Sequence, residues 1–122
     1  MTAIGIDCNK QIVLIAFAFV DNENTESWYR FLERLKNHVV VGRSNVCLIS
    51  DRHPGLLAAI RQLQEGSPFS PPIWPNVVSR WCVRHMAINF YERFKNKDLM
   101  NLFKRLCAQN QQRKFDALLG YN

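Results

Sequence analysis

The chain has no apolar run near the roughly 18–20 residues that a bilayer-spanning helix needs. Its longest, 12–20, fits a strand better. No basic stretch followed by an apolar one opens the sequence, so no secretion signal is read. Cysteine is sparse: Cys8, Cys47, Cys82 and Cys107 make no disulfide framework and point to a reducing, intracellular setting. No glycine-rich phosphate loop is present, and no Ser-His-Asp or Cys-His set carries a nucleophile signature. Acidic residues are few where phosphodiester chemistry would want them. Two-metal hydrolysis needs several carboxylates to hold ions roughly 4 Å apart, and only Asp51 and Asp7 stand near strand ends in the first half.

What is present fits one modest domain, 122 residues with 48% apolar content. The net charge of +6 is unevenly placed. Residues 1–79 carry seven basic and seven acidic side chains, whereas residues 80–122 carry nine basic and three acidic. A basic half beside a neutral half suits a polyanion such as nucleic acid, and suits equally a solvated Lys/Arg-rich helical surface.

The sequence opens directly on a strand over 2–6, turns at Asp7-Cys8-Asn9-Lys10 and returns over 11–20, a β-hairpin. The second arm is apolar on both alternating sets, so it is expected to be covered on both faces. Ala16 and Ala18 on one set would let a helix approach closely. Asn24 or Thr25 caps a helix with Glu26 in its first turn. Trp28, Phe31, Leu32, Leu35 and Val39 form its apolar stripe, with Trp28 as a core residue. A buried strand follows over 46–50 and delivers Asp51, after which Pro54 opens a helix carrying Leu56, Leu57, Ile60 and Leu63. Four prolines within 66–75 predict an extended surface loop. A short strand over 76–82 and helices over 84–95, 98–107 and 111–119 complete the chain. The predicted segments are thus 1–65, a sheet with two helices; 66–75, a Pro-rich loop; and 76–122, a short strand with basic helices.

Two features carry chemistry. Asp51 at the carboxyl end of a strand stands where ligands gather in helix-flanked sheets, and a carboxylate there suits a hard divalent ion. The alternative is that Asp51 caps the next helix or pairs with Arg52. Cys82 and His85 form a C-x2-H pair. A structural zinc site needs four ligands, and no second close pair exists, so Cys8, Cys47, His38 or His53 would have to complete it. The alternative is a buried Cys82 with His85 in a polar contact at a helix start.

Thr2 to Asp7, Ala16-Phe17-Ala18, Glu23 to Trp28, Ile49-Ser50-Asp51-Arg52 and Cys82-x2-His85, in that order, resemble a Mutator-like element (MULE) transposase domain, in its plant form most of all. The resemblance implies an α/β fold with an incomplete ribonuclease-H-like sheet, its first strand missing, and a basic all-helical C-terminal segment. It implies metal-dependent DNA strand cleavage and transfer by three acids with Mg²⁺ or Mn²⁺, DNA as partner, no membrane, and a nuclear location. Asp51 matches the second acid, and Cys82 and His85 match the family's C-x2-H. The first acid is expected upstream of Met1 and the third beyond the helical segment, so the expectation is a partial core that is inactive alone. The other expectation is a transposase-derived regulator that binds DNA or protein without catalysis. Arg80, Arg84, Arg93 and Lys95 are the candidate phosphate contacts.

Overall fold

A computed structural model describes residues 1–120. It shows a mixed α/β chain with two small sheets and five helices among those residues. The chain divides into two compact units, residues 1–48 with 52–80, and residues 49–51 with those from Trp81 onward.

In the first unit, β1 (Thr2–Ile6) and β2 (Ile12–Phe17) form the expected antiparallel hairpin. Asp7 Oδ1 closes its turn, accepting from Asn9 N at 2.9 Å and Gln11 N at 2.8 Å. The next element is α1 (Thr25–His38), capped by Asn24, whose Oδ1 accepts from Ser27 N at 2.9 Å. The last helix of the unit is α2 (Pro54–Glu65), with Pro54 in the first turn as its fixed φ favours. The cap of α2 is His53, whose Nδ1 faces Leu56 N at 3.4 Å. Asp51 therefore does not cap this helix.

The helices α1 and α2 pack against each other and make the core. Phe31, Leu32 and Leu35 meet Leu56, Ala59, Ile60 and Leu63, and Leu63 and Ala59 have no exposed surface. Gly55 allows this approach, since a Cβ there would sit 3.1 Å from the Asn24 carbonyl carbon and the Thr25 nitrogen. The strands lie on this helical layer through small residues. Ala3, Ala16 and Ala18 pack against the core, as Ala16 and Ala18 were expected to.

The double covering expected of β2 is not found. One face rests on the helices, and the other is open: Ile4 is 62% exposed, Leu14 56% and Ile12 72%. These residues pair across the hairpin, Ile4 with Leu14 and Ile6 with Ile12, so they form one apolar face. β2 also stops at Phe17 rather than Val20. The buried strand expected before Asp51 is a short one, β3 (Cys47–Ser50), with Leu48 turned to the core and Ile49 68% exposed. In both cases the helices supply a layer on one side only.

The Pro-rich segment is not simply a surface loop. Ser67 and Ser70 form an isolated bridge, and Trp74, only 6% exposed, is anchored in the core with its N–H donating to Leu63 O at 2.8 Å. Gly66 starts the turn at φ +75°, where a Cβ would sit 2.6 Å from Ser70 O.

β3 pairs with β4 (Val78–Trp81) in a second two-stranded sheet, so the single sheet expected within 1–65 is not found: the hairpin and β3 lie in separate sheets. Val78 N–H donates to Val46 O at 3.0 Å and Cys82 N–H to Ser50 O at 2.6 Å. The bonds advance in step along both strands, so the pair is parallel. The chain from α2 through Trp74 supplies the crossover that such a pair requires.

The second unit contains α3 (Val83–Phe94), α4 (Lys97–Cys107) and α5 (Gln112–Leu119). α3 ends at Lys95 in the left-handed region, and Asn96 caps α4 by accepting from Asp98 N at 2.9 Å and Leu99 N at 3.1 Å. This tight connection stacks Phe90 on Phe103, ring centroids 5.1 Å apart. Among the described apolar residues of this unit, Ala87 alone is fully buried.

Two stability outcomes follow from the first unit's core. Leu63→Ala removes a side chain with no exposed surface and is expected to cost about 2–5 kcal/mol in urea unfolding. Gly66→Ala should cost about 1 kcal/mol or more by the same measurement, because both the positive φ and the contact with Ser70 O oppose a Cβ.

Candidate functional site

β3 and β4 are parallel, so both carboxyl ends fall at one edge, which in such sheets is where ligands bind. The residues just past that edge are Asp51 after β3 and Cys82 after β4. They are tied together through the backbone, since Cys82 N–H donates to Ser50 O. Asp51 is exposed, and its carbonyl accepts from the Ser50 hydroxyl at 3.0 Å.

Cys82 is the N-cap of α3 and half-buried, while His85 is exposed one turn on. The Cys82 thiol is held below its usual value. The largest cause is the His85 backbone N–H, followed by the His85 imidazole; burial pushes the other way, and the Arg84 N–H adds a smaller lowering effect.

The remaining zinc candidates are scattered. Cys8 lies in the hairpin turn, His38 at the end of α1 and His53 at the cap of α2. Among the described residues no three His, Cys, Asp or Glu side chains come together as a metal-holding group. The described cysteines are all free thiols.

The four candidate phosphate contacts are divided between the two units. Arg80 lies on β4 in the first unit, where its Nη1 donates to Ser79 O at 2.8 Å. Arg84 and Arg93 stand nine residues apart on α3, which places them about 180° apart around the helix. Arg93 lies over the Phe94 ring at 5.6 Å. Lys95 is engaged by Glu92 at 2.5 Å and by the Tyr91 ring. A more coherent basic face went unread. Lys97, Lys104 and Arg105 on α4 are exposed, and the seven-residue spacing of the two lysines puts them on one side. That spacing is the signal that could have found them.

An α/β chain with a carboxylate and a C-x2-H pair at one sheet edge and basic helices beyond it has the makings of a nucleic-acid-processing domain. A family model described as the MULE transposase domain matches residues 1–89. The chain belongs to that family. The match ends within α3, so the basic helices α4 and α5 lie outside it. No curated protein and no solved structure matches the chain. None of the helices is long and apolar enough to cross a membrane, among the described residues.

The family implies use of divalent metal ions. The chemistry of the donor set here does not fit a paired-ion centre. Among the described residues Asp51 is the one carboxylate just past that edge, Asp7 is committed to the hairpin turn, and Glu92 is paired with Lys95. Thiol and imidazole are softer ligands than Mg²⁺ prefers.

The Cys82 environment is testable. The pH midpoint of iodoacetamide alkylation at Cys82 should lie below that of N-acetylcysteine amide, and His85→Ala should move it upward, both read by mass spectrometry. A midpoint unmoved in His85→Ala would show that the imidazole does not stabilise the thiolate.

Proposed function

We propose that this chain is part of the catalytic core of a Mutator-like DNA transposase, a partial ribonuclease-H-like domain that grips DNA but does not cleave it alone. Asp51 is its contribution to a three-acid ion cradle, and the other two acids come from outside these 122 residues. The observation that carries the reading is the edge formed by β3 and β4. It presents one carboxylate beside the family's C-x2-H, with no three-ligand group among the described residues. The described residues form two separate sheets. Ala3 and Ala16 of the first and Leu48 of the second rest on the same α1–α2 core, yet the sheets share no ladder.

A purely DNA-binding regulator derived from such a transposase is the second reading, favoured by the same lone carboxylate. Both readings require DNA affinity of an electrostatic kind, carried by Lys97, Lys104 and Arg105. Fluorescence anisotropy with a duplex should show log Kobs falling linearly with log salt. Lys104→Gln with Arg105→Gln should lower the slope by roughly one to two. Absence of binding at low salt, or binding indifferent to salt, would contradict both.

A further inference from the structure

The first unit holds a polar concavity whose lining residues lie just before β3 and just before β4 in the chain. It is a cavity of about 380 Å³ where α1 ends, walled by the segment after the helix and by the turn at Trp74 to Asn76. That size falls within the roughly 300–1,000 Å³ of small-ligand sites. Lys36 and Arg43 supply positive charge, Asn37, Ser44 and Asn76 supply neutral polar groups, and Trp74 closes the floor. Among the described residues that line it there is no carboxylate.

Three observations make this more than a chance pair of cations. Residues 1–79 balance seven basic against seven acidic side chains, so the local imbalance does not reflect a general bias. Neither the Lys36 nor the Arg43 side chain has an ion-pair or hydrogen-bond partner among the described residues. The walls are also fixed to the core. Val39 and Val40 N–H both donate to Leu35 O, at 3.0 and 3.1 Å, Arg43 N–H to Val40 O at 3.2 Å, and Trp74 N–H to Leu63 O at 2.8 Å.

The simpler role for Lys36 is to offset the dipole at the end of α1. That dipole amounts to about half an elementary charge. Two full cations exceed it, and the surplus faces a hollow lined with further polar groups.

We propose that this cavity binds a phosphate oxyanion, carried by a nucleic-acid backbone or by a free nucleotide. The guanidinium fork of Arg43 and the ammonium of Lys36 would take the oxyanion, and the amide and hydroxyl side chains its remaining oxygens. Only the ligand's source rests on the DNA-binding reading above; the oxyanion chemistry does not.

The test is an amide chemical-shift titration of the whole chain at constant ionic strength, with inorganic phosphate, a 5′-nucleoside monophosphate and a duplex DNA in turn. Saturable movement of residues 41–44 and 76 is expected. A Lys36→Gln, Arg43→Gln double variant should raise the half-saturating concentration by at least about tenfold, since two charge-assisted bonds are lost. Unmoved resonances from the α1–α2 core will show that the variant is folded. Movement with duplex alone assigns a backbone phosphodiester, and movement with the monophosphate or phosphate assigns a small anion. No saturable movement with any of the three, or an unchanged half-saturation in the variant, overturns the proposal. Duplex binding whose footprint avoids this cavity overturns it while leaving the DNA reading intact. Phosphate binding here without duplex binding does the reverse.

Discussion

The apposition of α1 and α2 is the constraint on which the rest of the first unit depends. Two-stranded sheets have little stability of their own in water, and both sheets here are two-stranded. The hairpin stays in place because Ala3, Ala16 and Ala18 rest on a layer built from Leu32, Leu35, Ile60 and Leu63. β3 is held to the same layer by Leu48. The register of β3 in turn sets where Asp51 leaves the strand.

That arrangement explains the unusual exposure of the strands. A sheet face without a covering layer normally carries polar residues. Here the open face of the hairpin carries Ile4, Ile6, Ile12 and Leu14. The residues suit a larger, covered sheet, and the described residues build only one side of it.

Much of the architecture was legible in the residues. Asn24 and Pro54 marked helix starts through local chemistry, and the stripes on α1 and α2 followed helical spacing. The burial of β2 and β3 was not legible, because a strand apolar on both sides carries the same pattern whether or not a second layer exists. The anchoring of Trp74 was hidden by the prolines around it, and His53 as a cap depends on geometry that spacing alone does not set. For the site, the place of Asp51 at a strand end was readable from spacing. The basic residues were read as a count along the chain, and that count ignores helical phase. Helical phase sets Arg84 and Arg93 about 180° apart on α3. The cavity at Lys36 and Arg43 brings together three segments whose proximity exists only after folding.

The account turns on Asp51 being a single carboxylate where a pair of ions would need more. Manganese titration followed by electron paramagnetic resonance tests this on the chain directly. The account predicts at most one weakly held ion, lost in Asp51→Asn, and no spin-coupled pair. A tightly bound, spin-coupled pair of Mn²⁺ ions on these 122 residues would contradict it.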